Sequence, residues 1–106
     1  MERPELTIRV KRSPAEAVVS LTGEIDVSTA AKLAAAVGDI LHSESPPRLV
    51  LDMAGVTFCD SQGLGTLVVL SRRARLASSL LVLTNVGDFL LRVLDITGLR
   101  TALMIV

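Results

Sequence analysis

Two short runs, Leu49-Val50-Leu51 and Leu80 to Leu83, are apolar at every position, with none of the alternation of a half-wet strand. Such runs suit central strands of a sheet covered on both faces. Around them the apolar period is helical. In "DVSTAAKLAAAVGDILH", Leu33, Val37, Ile40 and Leu41 share one face behind the capping candidates Asp26, Ser28 and Thr29, and "SESPP" ends the helix. A second helix starts near Asp60, between the two apolar runs. A third, from Gly87 to about Thr97, places Phe89, Leu90, Val93 and Leu94 on one face, with Gly98 positioned to end it in the left-handed conformation.

At the front, Leu6, Ile8 and Val10 alternate with Thr7, Arg9 and Lys11, and Ala17 to Leu21 reads as the partner strand after the turn-rich "RSPAE". That makes a hairpin at a sheet edge. Ala102 to Val106 reads as a last strand. The order is strand, strand, helix, strand, helix, strand, helix, strand. It predicts an α/β fold: one domain over residues 1–106, a mostly parallel sheet with an antiparallel edge hairpin, and helices packed on it through right-handed crossovers. At 106 residues the chain is long enough for a real core and too short for two.

Composition removes several function classes. Eleven basic and eleven acidic side chains cancel, and two Phe with no Trp or Tyr offer no stacking platform, which argues against nucleic acid. One cysteine, Cys59, and one histidine, His42, assemble no Cys/His zinc set, so neither metal nor cofactor is expected. No apolar run approaches the roughly 18 residues that cross a bilayer. "MERPELTIRV" lacks the pattern of a signal peptide, and a cytoplasmic location is expected.

The chemistry concentrates in "GVTFCDSQGLGTLVVL", Gly55 to Leu70. In an α/β sheet the loops at the carboxyl ends of the strands carry function, because helix N-termini gather there with free N–H groups. Asp60 reads as an N-cap with Ser61 directly after it. Gly63 and Gly65 then occupy the first two helical turns, where each costs roughly 1 kcal/mol relative to alanine. Either the helix packs very closely on its own sheet, or it leaves a flat surface that another protein's backbone can approach.

A hydrolase reading is weak. "CDSQG" supplies the Ser-x-Gly half of a nucleophile elbow, but Cys59 stands where its first glycine belongs. His42 and Ser61 lie at opposite ends of the intervening strand, on the order of 17 Å apart for five residues, beyond hydrogen-bond reach. Cys59 reads as a small buried apolar residue and His42 as a solvated helix end. No Gly-rich phosphate loop with a lysine is present.

"VSLTGEIDVSTAAKL", "LVLDMAGVTFCDSQGLGTLV" and "VLDITGL" resemble, in that order and spacing, the STAS domains of bacterial anti-sigma factor antagonists. The resemblance covers nearly the whole chain, and its most specific part is the Asp-Ser-x-Gly-Leu-Gly turn. It implies a domain without catalytic activity of its own. In it, the serine after the turn's aspartate, here Ser61, is phosphorylated by a cognate anti-sigma factor that is also a serine kinase. The unphosphorylated form binds that factor and frees the sigma factor; phosphorylation breaks the complex and a serine phosphatase restores it. Asp60, Ser61, Gln62, Gly63 and Gly65, with the upstream pair Glu24 and Asp26, match the partner-binding surface. Two features depart from the family. Gln62 stands where many relatives carry a second Ser or Thr, and the helix that commonly follows the last strand is lacking. An uncovered apolar edge near Leu103 to Val106 is therefore expected to favour self-association. The alternative within the same fold is a STAS subunit that binds the ATPase of a membrane transporter.

Overall fold

A computed structural model describes residues 5–106. The strands are β1 (Thr7–Arg12), β2 (Glu16–Ile25), β3 (Arg48–Cys59), β4 (Leu80–Thr84) and β5 (Met104–Ile105). The helices are α1 (Ala30–Ser43), α2 (Ser61–Leu76) and α3 (Asp88–Thr97), with a short 3-10 turn over Leu99–Ala102 before β5. The sheet order is β1-β2-β3-β4-β5. β1 pairs antiparallel with β2, and every later pair is parallel. The expected α/β architecture, edge hairpin included, is the one observed.

Because β2 to β5 advance in one direction, right-handed crossovers put all three helices on the same face. The core confirms this. Leu33, Val37 and Ile40 of α1, Leu64, Leu67 and Leu70 of α2, and Leu90 and Leu94 of α3 pack in one cluster with one alternating set from the strands, such as Val19, Leu49, Leu51, Leu81 and Leu83. Extents of 37 × 33 × 19 Å fit two layers rather than three. The expectation that the apolar runs are covered on both faces holds in burial for Val50 and Val82, although the helices themselves lie on one face only. On the other face Val18, Val50, Val82 and Met104 stand in register across four strands. Val50 and Val82, in the middle of that row, are buried, whereas Met104 at its edge is exposed.

Three expectations need revision. β2 and β3 run to Ile25 and Cys59, well past their apolar stretches, and register shifts at Ser20/Thr22 and Gly23/Glu24 accommodate the extension. At the second shift Gly23 adopts φ +118, and a Cβ there would stand 2.2 Å from the Glu5 carbonyl oxygen, so only glycine fits. The last strand is two residues long, since Ala102 belongs to the 3-10 turn. Phe89 is 71% exposed: the buried face of α3 is set by Leu90 and Leu94, one turn apart, and Phe89 sits about 100° away from Leu90 around the axis. Gly98 ends α3 at φ 75, as its position in the sequence suggests.

Candidate functional site

Ile25 and Cys59 are register partners at the carboxyl ends of β2 and β3, and the chain turns into a helix after each. After β2 the turn is built by Asp26. Its Oδ1 accepts from the Ser28 amide (2.9 Å), the Ser28 hydroxyl (2.6 Å) and the Thr29 amide (3.2 Å). Thr29 returns the bond: its Oγ1 accepts from the Asp26 amide at 2.9 Å and donates to the Glu24 carbonyl at 2.8 Å. Asp26 and Thr29 are both buried, so the Asp26 carboxylate lies beneath the surface and shapes the turn that exposes Val27 and Ser28. Glu24 is half-buried.

After β3, Asp60 is the N-cap of α2. Its Oδ1 accepts from the Gly63 amide at 2.8 Å, and its Oδ2 reaches across to the Val27 amide at 3.3 Å. Its own amide donates to the Ile25 carbonyl at 3.1 Å. One side chain thereby fixes the start of α2 against the β2–α1 turn. Gly63 and Leu64 donate to the Asp60 side chain and carbonyl, which leaves the Ser61 and Gln62 amides as the N–H groups of that first turn without an intrahelical acceptor. Ser61 and Gln62 are exposed.

The two glycines have different causes. A Cβ on Gly63 would lie 2.5 Å from the Ile25 carbonyl oxygen and 2.8 Å from the Cys59 Sγ, so α2 packs on the sheet through this position. A Cβ on Gly65 would meet nothing within 4 Å. Gly65 is exposed and lines an open depression with Gln62, Thr66 and Val69 of α2 and Ala34 of α1. The packing explanation holds for Gly63, and Gly65 leaves the open surface that the other explanation requires.

Cys59 is half-buried; burial, and secondarily the Asp60 charge, push its thiol up to about 12. A thiol held in the neutral form is a poor nucleophile. His42 is exposed in the last turn of α1. β3 is 12 residues long, which separates His42 from Ser61 by more than the five-residue estimate. Among the described residues no group of three or more His, Cys, Asp or Glu is placed to hold a metal ion, and no helix is long and apolar enough to cross a membrane.

Sequence reasoning placed Phe89 on the apolar face of α3 and gave Phe58 no position. Phe58 and Phe89, 46% and 71% exposed, line one cleft of about 80 Å³ between the end of β3 and the start of α3, together with Cys59 and Gly87. Their rarity was the available signal, since a chain with two aromatic residues that places neither in its core has left both for its surface.

Comparison with known proteins agrees with this geometry. The family described as "Mlab, STAS domain" matches residues 8–106. RsfB, the anti-sigma-F factor antagonist of Mycobacterium tuberculosis, is 38% identical over 74 residues, which is 69% of this chain but only 60% of RsfB. The anti-sigma-B factor antagonist of Listeria monocytogenes is 33% identical over 95 residues, covering 89% of this chain and 82% of that protein. Among solved structures, that of an anti-sigma factor antagonist from Mycobacterium paratuberculosis superposes with a TM-score of 0.82 at 31% identity, over 95% of this chain and 85% of the other. With its fold, its Asp-Ser-x-Gly-Leu-Gly turn and these relatives in agreement, the chain belongs to the STAS domain family, alongside the anti-sigma factor antagonists.

Proposed function

We propose that this protein is an anti-sigma factor antagonist that works by partner switching, with Ser61 as the phosphorylated residue. The observation that carries the reading is the placement of Ser61. It is an exposed hydroxyl at the first position of α2, held by the Asp60 cap and followed one turn later by the open position of Gly65. A kinase active site needs such a hydroxyl with little side-chain bulk around it. The exposed Gln62, the turn at Val27 and Ser28 shaped by Asp26, and the half-buried Glu24 surround the same end of the sheet. The partner is an anti-sigma factor with serine kinase activity, a serine phosphatase reverses the mark, and the exchange takes place in the cytoplasm. The protein itself catalyses nothing: its one histidine lies at the far end of α1 and its one thiol is kept neutral.

Phosphate on Ser61 adds about −1.5 to −2 charges at a helix N-terminus, where the macrodipole and the two amides without an acceptor favour it. The fold is therefore expected to tolerate phosphorylation. Inhibition then arises at the interface, where the partner would have to desolvate that charge beside Asp60. A penalty of a few kcal/mol weakens binding by orders of magnitude.

Calorimetry with the anti-sigma factor kinase of the same organism tests this. Ser61→Ala is expected to bind whether or not ATP is present, and the phosphoserine form and Ser61→Glu to bind poorly while melting no lower than wild type. A phosphorylated protein that binds as tightly as the unmodified one would refute the mechanism. Capture of a transporter ATPase in place of an anti-sigma factor would favour the other reading.

A further inference from the structure

Beyond its cap at Ala77, α2 ends in a turn that buries a hydroxyl. The Ser78 amide donates to the Arg75 carbonyl at 3.0 Å and the Ser79 amide to the Ala74 carbonyl at 2.8 Å, with Ser78 left-handed at φ 61. A helix that ends this way usually packs an apolar side chain at the second residue past the cap. Here that residue is Ser79, whose oxygen is buried and has no hydrogen-bond partner. A hydroxyl in that state costs stability unless something partners it.

Ser71 and Ser79, 7% and 5% exposed, both line a cleft of about 140 Å³ between the last turns of α2, the start of β4 and the residues leading into β5. The Ser71 hydroxyl also makes no hydrogen bond among the described residues. Arg75, one turn after Ser71 on the same side of α2, is the one charged residue of the lining and forms no ion pair among the described residues. The other polar groups nearby are engaged. Thr101 donates its hydroxyl to the Gly98 carbonyl at 3.2 Å, and Arg100, beside it in the chain, pairs with Asp95 at 3.1 Å. At the end of α2 the Arg73, Ala74 and Arg75 carbonyls accept from backbone amides, and the Ala77 carbonyl accepts from the Ser45 hydroxyl. Two hydroxyls and a guanidinium remain, all of them donors.

Donors without a carboxylate among them suit an anion. A single guanidinium balances a single negative charge, which favours a monoanion over a phosphate dianion. The aliphatic walls supplied by Leu80, Leu103 and Met104 suit a short apolar tail. We propose that this cleft binds a small aliphatic carboxylate, its oxygens on the Arg75 guanidinium and the Ser71 hydroxyl, with the Ser79 hydroxyl turning by one staggered χ1 step to join them. The cleft lies at the start of β4, where Leu80 pairs with Arg48 at the start of β3, whereas Ser61 follows the far end of β3. Carboxylate binding is therefore separate from phosphorylation of Ser61 and does not depend on it.

Titration of the isotope-labelled protein with sodium butyrate at constant ionic strength, followed by amide chemical shifts, tests this. Butyramide serves as the uncharged counterpart and inorganic phosphate as the competing anion. A ligand of about six heavy atoms is expected to bind with millimolar affinity, with saturating shifts at Ser71, Arg75, Ser79 and Thr101 and none at Ser61. Arg75→Gln and Ser71→Ala, each verified as folded by its melting curve, should weaken that binding by about tenfold and about threefold. Shifts that grow without saturating, saturation centred on other residues, equal binding of butyramide, tighter binding of phosphate, or wild-type affinity in folded Arg75→Gln would each overturn the assignment. None of these outcomes bears on the switch at Ser61, which is tested with the kinase.

Discussion

The Asp60 carboxylate joins two chain segments: its Oδ2 accepts from the Val27 amide, 33 residues away in sequence, while its Oδ1 caps Gly63. A residue that reads as an ordinary N-cap therefore also locks the β2–α1 turn to α2. Asp60→Ala is expected to lower stability by about 1–2 kcal/mol, the upper part of the range for a lost cap. Asp60→Ser, too short to reach both amides, should recover the cap to Gly63 but not the tie to Val27, and fall between the two. Urea denaturation of the three proteins measures the order, and a Ser variant as stable as wild type would show that the Val27 bond contributes nothing.

Gly63 and Gly65 should respond to alanine with opposite signs. Gly63→Ala drives a methyl group to within 2.5 Å of the Ile25 carbonyl oxygen, so it should destabilise by about 1–3 kcal/mol despite the better helix propensity. Gly65→Ala meets no atom and should stabilise by up to about 1 kcal/mol. The same Gly65→Ala change narrows the depression one turn after Ser61, so on the proposed function slower phosphorylation by the kinase is the expected accompaniment. Melting curves and a phosphorylation time course separate the two effects.

The Cys59 thiol gives an alkaline signature. Its value in the fold, about 12, lies above the ordinary thiol range, so the unfolded chain loses this proton first as pH rises. The contribution of the neutral thiol to stability is complete below the unfolded value and declines between about 9 and about 12. Cys59→Ala should flatten that part of the stability profile. In wild type at pH 8, labelling by a thiol reagent should be slow and should accelerate in urea in step with unfolding; fast labelling of the native protein would contradict the burial.

Asp52 gives the opposite signature in acid. The Asn85 side-chain amide at 2.9 Å, and then the Ala54 amide at 3.0 Å, favour the carboxylate and hold its pKa below the ordinary value. A lowered value contributes stability that is present above the unfolded pKa of about 3.9 and is lost as pH falls through the folded one. Asn85 has φ 56, so Asn85→Gly is the appropriate variant, because it removes the amide without straining the backbone. It should lose less stability than wild type between about pH 4 and the acid transition. Parallel acid profiles for the two proteins would exclude the Asn85 bond as the cause.

The chain sequence by itself determined whatever depends on near neighbours. The apolar spacing of Leu33, Val37, Ile40 and Leu41 fixed the buried face of α1, and the left-handed end of α3 at Gly98 followed from its place after Thr97. The Asp60 cap and the exposed Ser61 were legible for the same reason, since capping is a contact over three residues. Tertiary structure decided what depends on contacts between distant segments. Gly63 and Gly65 are the same residue two positions apart, and only the approach of Ile25 and Cys59 makes one a packing requirement and the other an opening. Asp26 carries the charge of a surface residue, yet its carboxylate is buried because the turn after β2 surrounds it with the Ser28 and Thr29 donors. Phe89 shares the apolar spacing of α3 but lies outside the arc that the sheet covers, so it stays in solvent. Local periodicity specifies which residues share a face; how much of that face is buried is decided by the elements that pack against it, and those are brought together from far along the chain.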